Sequence, residues 1–98
     1  MAKRPSPSAP LPKGCREIIR GLKAADVRVV SGVTDTYIGP LLVAVTEDPF
    51  FSSVPACGEE EAVAIAAGAA LAGRRSATLF QNAGLFSSGR GIALAQAY

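Results

Sequence analysis

Residues 58–73 read Gly-Glu-Glu-Glu-Ala-Val-Ala-Ile-Ala-Ala-Gly-Ala-Ala-Leu-Ala-Gly, and this stretch decides the fold that we predict. Three acids precede an Ala-rich apolar run. Acidic side chains favour the positive N-terminal end of a helix, and a glycine after the last turn is a usual stop. We therefore predict a helix from Glu59 to Ala72. Because apolar residues surround it, the helix should be buried on several sides, and its small side chains should let neighbours approach closely.

Short strands and helices alternate along the rest of the chain. Apolar residues at helical spacing predict helices over 15–25 and 37–45, and a last helix from Gly89 or Gly91 onward. The predicted strands are 27–30, 54–57 and 76–80, and residues 81–88 are predicted to form a loop. This alternation predicts an α/β fold, a parallel sheet between two helix layers. Three strands are few for such a sheet, so the domain is expected to be truncated.

The N-terminal residues have a different composition. Residues 1–14 contain four prolines and two serines, and we expect them to form a disordered tail. The remaining residues, 15–98, suffice for one small domain.

Composition excludes several classes of function. The chain has no histidine, so Ser-His-Asp and Cys-His catalytic systems and histidine metal sites are ruled out. A net charge of +2 without a basic stripe gives no indication of a nucleic-acid partner. Cys15 and Cys57 form no CxxC pair, which favours reduced thiols and a cytoplasmic protein. The apolar run 62–72 is too short to span a membrane.

Two features together resemble a known family. Gln81-Asn82-Ala83-Gly84-Leu85 follows the third predicted strand, and Glu59 lies nine residues before Gly68. This pattern resembles the pyrimidine-binding domain of thiamine-diphosphate enzymes. Within that family it is most similar to sulfopyruvate and phosphonopyruvate decarboxylases, whose segment reads Gln-Asn-Ser-Gly-Leu. The resemblance covers about residues 18–94 and implies the alpha-type part of a 2-oxo acid decarboxylase.

The resemblance implies a role for each residue of these features. Glu59 would be the catalytic acid, hydrogen-bonded to the pyrimidine nitrogen N1′ of thiamine diphosphate. The segment Gln81, Asn82, Ala83, Gly84 and Leu85 would bind the cofactor by passing against its aminopyrimidine ring. The residues alone leave plainer interpretations open: Glu59 as a helix-start acid, like Glu60 and Glu61, and Asn82 as a turn residue.

A loop after the first strand resembles the substrate side of the same site. Residues 32–36 read Gly-Val-Thr-Asp-Thr, where the family has Gly-x-Pro-Asp-Ser. The resemblance implies that Gly32, Asp35 and Thr36 contact a small 2-oxo acid substrate. Thr34 replaces the family's proline, which leaves the loop less rigid. The alternative is that Thr34 or Asp35 caps the next helix.

The cofactor also needs a site for its diphosphate and for Mg²⁺, which the family builds from Gly-Asp-Gly and a later Asn. No Gly-Asp-Gly occurs here. We therefore expect a partner, either a diphosphate-binding beta subunit or a further domain, in a homo- or hetero-oligomer. Two rival hypotheses remain: a non-catalytic remnant or interaction subunit, and a phosphate-loop nucleotide binder. In the second, Arg90 and Gly91 replace the Lys and Ser/Thr that the motif requires.

Overall fold

The computed structural model describes residues 11–35, 38–81 and 83–97 of the chain, without the side chain of Ala83. Five helices and three strands follow one another within these residues. The elements are α1 (Lys13–Ala24), β1 (Val29–Gly32), α2 (Gly39–Glu47), β2 (Ser52–Pro55), α3 (Glu59–Leu71), β3 (Ser76–Leu79), α4 (Ala83–Ser87) and α5 (Gly89–Ala97).

The three strands form one parallel sheet in the order β2-β1-β3. The predicted α/β class and the parallel pairing are therefore confirmed. The chain runs from the central strand β1 to its neighbour β2 and then back across β1 to β3 on the other side. These two crossovers run in opposite directions, so the sheet has a helix layer on each face.

The two faces of the sheet carry different packing. Val30 of β1 belongs to the buried core with Leu41 and Val45 of α2 and Phe51, and α1 packs against this core. Successive strand side chains point to opposite faces, so Ser31 faces the other layer. On that face, Ser76 of β3 donates a hydrogen bond to the Ala66 carbonyl of α3 at 2.6 Å.

Strand β2 lies two residues earlier than predicted, at Ser52–Pro55 instead of 54–57. The amides of Ser52 and Ala56 donate to the carbonyls of Arg28 and Gly32 at 2.7 and 3.0 Å. Residues in alternate positions turn their N–H groups away from β1. Pro55, which has no N–H, therefore ends the strand with its nitrogen at the outer edge, where proline is tolerated.

The first helix begins at Lys13, two residues inside the predicted tail. Pro12 precedes it, and proline's fixed φ suits a helix start. The predicted disorder of residues 1–10 lies outside the described residues.

The loop predicted over residues 81–88 is wrong, since α4 occupies Ala83–Ser87. Its residues Gly84 and Ser87 have low helix propensity, but tertiary packing can outweigh propensity. Gly84 packs directly against the start of α3, and Ser88 N–H closes a helical turn onto the Gly84 carbonyl at 3.0 Å.

Helix α3 starts where predicted, but it is not buried on all sides. Its buried residues are Ala62, Val63 and Ala66, whereas Leu71 is 70% exposed. The helix lies on the sheet with one side and against α5 with another. Between these two sides lies an open apolar groove of about 640 Å³, lined by α3, β3 and α5.

Two expectations about the chain's environment concern cysteines and membranes. Cys15 and Cys57 are both free thiols. Across the described ranges, every helix is too short or too polar to cross a bilayer.

Candidate functional site

The predicted site residues that the structure describes lie at one edge of the sheet, where all three strands end. Gly32 at the end of β1 lies opposite Pro55 of β2 and Leu79 of β3. The segments after these strands therefore leave the sheet side by side. In open parallel sheets, ligands bind in the crevice outside these carboxyl ends.

Glu59 is the first residue of α3 and is half-buried at this edge. Its carboxylate Oε2 lies 3.5 Å from the hydroxyl of Ser87 in α4. The side chain also touches the backbone of Gly84, so closely that a β-carbon at position 84 would lie 2.9 Å from Glu59 Oε1. The structure thus brings together Glu59 and Gly84, two residues that the sequence had assigned to one site.

Of the rest of the 81–85 segment, Gln81 precedes α4 and Leu85 lies within it. The Gln81 carbonyl accepts the Gly84 N–H at 2.9 Å, and Leu85 is 52% exposed, its carbonyl accepting the Ser88 hydroxyl at 3.2 Å. Asn82 lies outside the described residues, so its cofactor contact stays a prediction. For Ala83 the backbone alone is described, and it opens the helix.

The loop after β1 holds the residues predicted to face the substrate. Gly32 is buried, and a β-carbon there would lie 2.7 Å from both Leu42 Cδ2 and the Leu79 carbonyl oxygen, so only glycine lets these strand ends meet. Asp35 Oδ1 accepts the Ile38 N–H at 3.0 Å, in the turn that precedes α2. Its contact with a substrate stays a prediction. Thr36 lies outside the described residues.

The glycine-rich segment 84–91 does not have the form of a phosphate-binding loop. It is helical on both sides of a turn at Ser88. Gly84 packs against Glu59, and Gly91 packs against Glu60. Two carboxylates facing these glycines would repel a phosphate group.

Sequence reasoning missed two residues that contact the acids, Ser87 and Gly91. Gly84 and Ser87 are three residues apart, the spacing that places side chains on one helical face. That spacing is a signal only where the segment is helical, and the prediction for residues 81–88 is a loop. Gly91 lies on the separate helix α5.

Metal ligands are a separate question. Within residues 11–35, 38–81 and 83–97, no three Asp, Glu or Cys side chains are grouped so as to hold a metal ion. The Mg²⁺ site is therefore not assigned to any described residue.

Curated proteins with related sequences include two kinds of decarboxylase. The chain is 37% identical over 81 residues to sulfopyruvate decarboxylase subunit alpha from Methanocaldococcus jannaschii, covering 83% of this chain and 48% of that subunit. It is 38% identical over 72 residues to phosphonopyruvate decarboxylase from Streptomyces viridochromogenes, covering 74% of this chain and 18% of that enzyme. The chain thus spans about half or less of the length of these relatives. No solved structure is significantly similar to it.

A protein-family model covers almost the whole described fold. The model for the thiamine pyrophosphate enzyme, N-terminal TPP binding domain, matches residues 12–98, from the residue before α1 to the end of the chain. Thiamine pyrophosphate is thiamine diphosphate under its other name. The matched range contains the parallel sheet and both residues that meet at its edge, Glu59 and Gly84. The chain belongs to the family of thiamine pyrophosphate enzymes, N-terminal TPP binding domain.

Proposed function

We propose that residues 15–98 form part of the pyrimidine-binding domain of a thiamine-diphosphate-dependent 2-oxo acid decarboxylase, of the sulfopyruvate or phosphonopyruvate type. The observation that carries this proposal is the place of Glu59. Its carboxyl lies at the carboxyl edge of a parallel sheet, against Gly84 of the segment that resembles the family's Gln-Asn-Ser-Gly-Leu.

The surroundings of Glu59 suit a carboxyl that shares a proton with a ring nitrogen. Ala62 and Val63, in the next turn of α3, are buried, and the carboxyl lies against the backbone of Gly84 and near the hydroxyl of Ser87. These neighbours leave room for a flat ring beside the carboxyl.

Thiamine diphosphate supplies a carbon nucleophile and an electron sink for decarboxylation, chemistry that protein side chains lack. This chain's part is to hold and orient the pyrimidine. Glu59 would hold a proton at its carboxyl and share it with the ring nitrogen N1′, which is general acid–base catalysis. The 81–85 segment would lie against the ring on the side of α4 and so limit where the ring can sit.

The partner and the metal belong to the same proposal. Two curated relatives are named as alpha subunits, from Methanocaldococcus jannaschii and Methanothermobacter thermautotrophicus, and such a name indicates that those enzymes have another subunit. We infer that a beta-type chain or a further domain binds the diphosphate and Mg²⁺ for this protein. Oxygen ligands, which Mg²⁺ prefers, would come from there.

The substrate would be a small 2-oxo acid bound on the β1 side of the crevice. Gly32 ends the central strand, and Asp35 and Thr36 come after it in the sequence, so we expect these residues to flank the position assigned to the pyrimidine. The names of the relatives favour an acid that carries a sulfonate or phosphonate group.

The proposal is tested by neutralising three adjacent acids one at a time. Glu59→Gln keeps the volume and hydrogen-bonding capacity of the side chain but cannot share the proton. In the complex with its diphosphate-binding partner, it should reduce decarboxylation of sulfopyruvate and phosphonopyruvate by about 10²- to 10⁴-fold. Glu60→Gln and Glu61→Gln remove the same charge from the same helix start and should stay near the parent rate.

Equal rates for all three variants would leave Glu59 as an ordinary helix-start acid. A complex that binds thiamine diphosphate but decarboxylates neither acid would instead favour the non-catalytic interaction subunit. Both outcomes are read from the same set of purified proteins.

A further inference from the structure

The side chain of Glu59 passes directly beside the backbone of Gly84. A β-carbon at position 84 would lie 2.9 Å from both Cδ and Oε1 of Glu59, and it would also meet Cγ. Non-bonded carbon atoms favour separations of about 3.5–4.0 Å. An alanine at 84 and the present direction of the Glu59 carboxyl therefore exclude each other.

The backbones on both sides of this contact are held in place. Glu59 opens a helix of 13 residues, and Ala62 N–H donates to the Gly58 carbonyl at 3.0 Å. In α4, the Gly84 N–H donates to Gln81 at 2.9 Å, and the Gly84 carbonyl accepts Ser88 N–H at 3.0 Å. Because neither backbone is free to move away, a β-carbon at 84 would be relieved mainly by rotating the Glu59 side chain.

Ser87 approaches the same carboxyl from the next turn of α4. Its hydroxyl lies 3.0 Å from the Gly84 carbonyl and 3.5 Å from Glu59 Oε2. The hydroxyl has one proton for two acceptors, and the shorter contact is the stronger. The direction of the carboxyl is thus set more by the space at Gly84 than by this hydrogen bond.

We propose that Gly84 is a positioning residue, whose missing side chain fixes the direction of the Glu59 carboxyl. This inference rests on the proposed function, in which that direction decides whether the carboxyl reaches the pyrimidine. The role differs from the cofactor contact that the family resemblance implies for Gly84, since it acts through Glu59 alone.

The neighbouring acid supplies a matched control. Gly91 of α5 meets Glu60 in the same way, because a β-carbon there would lie 2.8 Å from Glu60 Cγ. Gly84→Ala and Gly91→Ala therefore create similar crowding against adjacent residues of α3. They differ in the acid that each one redirects.

The first test measures side-chain direction in the purified full-length chain without cofactor. In the parent, NMR should show a nuclear Overhauser contact between Gly84 Hα and Glu59 Hγ. Gly84→Ala should change the three-bond couplings that report the Glu59 rotamer and should abolish that contact. Gly91→Ala should change the Glu60 rotamer and leave Glu59 as in the parent.

The second test is a double-mutant cycle in the complex with its partner. A misplacement of about 1 Å in a catalytic group can cost about 10²-fold, so Gly84→Ala should lower kcat by about that factor and leave the KM for the oxo acid nearly unchanged. In a Glu59→Gln background, Gly84→Ala should cost nothing further, because the group that it displaces is already inactive. If Gly84→Ala instead lowered activity by disturbing the fold, it would reduce kcat by the same factor in the parent and in the Glu59→Gln background.

An unchanged Glu59 rotamer in Gly84→Ala overturns the positioning role, as does a Gly84→Ala loss that multiplies with that of Glu59→Gln. A fully active Glu59→Gln overturns the proposed function instead, and the rotamer measurement then decides the positioning role by itself. If Gly84→Ala does not fold, Glu59→Ala/Gly84→Ala removes the crowding and should fold. Failure of both variants to fold contradicts the inference.

Discussion

Val30 and Ser31 are neighbours on the central strand, are 1% and 0% exposed, and face two different interiors. Val30 packs among the large side chains of Leu41, Val45 and Phe51. Ser31 faces α3, where the buried residues are Ala62, Val63 and Ala66, and its hydroxyl has no hydrogen-bond partner among the described residues.

The two faces of the sheet therefore have different roles: one mainly stabilises the fold, and the other positions the candidate site. Large apolar side chains on the α1/α2 face bury the area that stabilises the fold. Small residues on the α3 face bury little area each, but they bring the start of α3 close to the sheet edge and to α4. Glu59 reaches its place because its neighbours are small.

The largest expected effect on stability comes from truncating a large side chain in the core between the sheet and helices α1 and α2. Phe51 is 8% exposed within that core, whereas Phe86 of α4 is 89% exposed. Phe51→Ala should lower the free energy of unfolding by about 3–5 kcal/mol, since it removes a buried aromatic ring and leaves a cavity. Phe86→Ala, the same change at an exposed site, should stay within about 0.5 kcal/mol. Urea denaturation of both variants measures this contrast, and similar losses would contradict it.

A second comparison of the two faces uses Val30 and Ser31, which are neighbours on β1. Val30→Ala should lower the free energy of unfolding by about 2–3 kcal/mol through lost burial. Ser31→Ala should raise it by about 1 kcal/mol, because it removes a buried hydroxyl that lacks a partner. Changes of the same sign would show that the two faces do not differ as described. Thermal and urea unfolding of the pair provide the measurement.

The smallest effect concerns a salt bridge that ties α1 to the end of α2. Lys23 Nζ lies 2.7 Å from Asp48 Oδ2, and the side chains are 42% and 23% exposed. The hydrogen bond from Lys23, followed by that from the Phe50 N–H, lowers the pKa of Asp48. Asp48→Asn should therefore cost no more than about 1 kcal/mol near pH 7.

The pH dependence of that cost follows from the direction of the shift. Folding lowers the pKa of Asp48, so the carboxylate's contribution is fully present above the unfolded-state pKa of about 3.9. It is lost as the pH falls through the lower folded-state pKa. The stability difference between parent and Asp48→Asn should thus be constant from pH 6 to 8 and vanish in acid. A difference that grows below pH 4 would contradict the assignment, and Lys23→Gln should remove most of the same contribution.

The sequence predicts much of this fold because its signals are local. The acids before the Ala-rich run and Gly73 after it place α3 within one residue of its observed end. The β-branched residues Val29 and Val30 mark the central strand, although it covers Val29–Gly32 and not the predicted 27–30. Those features act through helix ends and strand propensity, which need no knowledge of neighbours.

The site was less predictable because it depends on packing between distant segments. Gly84, Ser87 and Ser88 are typical of turns, and only contact with α3 makes their segment helical. The exposure of Leu71 and the closeness of Gly91 to Glu60 likewise depend on where α5 lies. Glu59 itself could be singled out from the sequence only by family resemblance, since three adjacent acids are equivalent in local terms.

The central claim is that Glu59 alone of these acids activates the cofactor. The most direct measurement is the rate of hydrogen–deuterium exchange at C2 of thiamine diphosphate bound to the complex, followed by quenched-flow NMR. Glu59→Gln should slow this exchange by about 10²-fold or more, while Glu60→Gln exchanges at the parent rate. Exchange at the parent rate in Glu59→Gln would contradict the account.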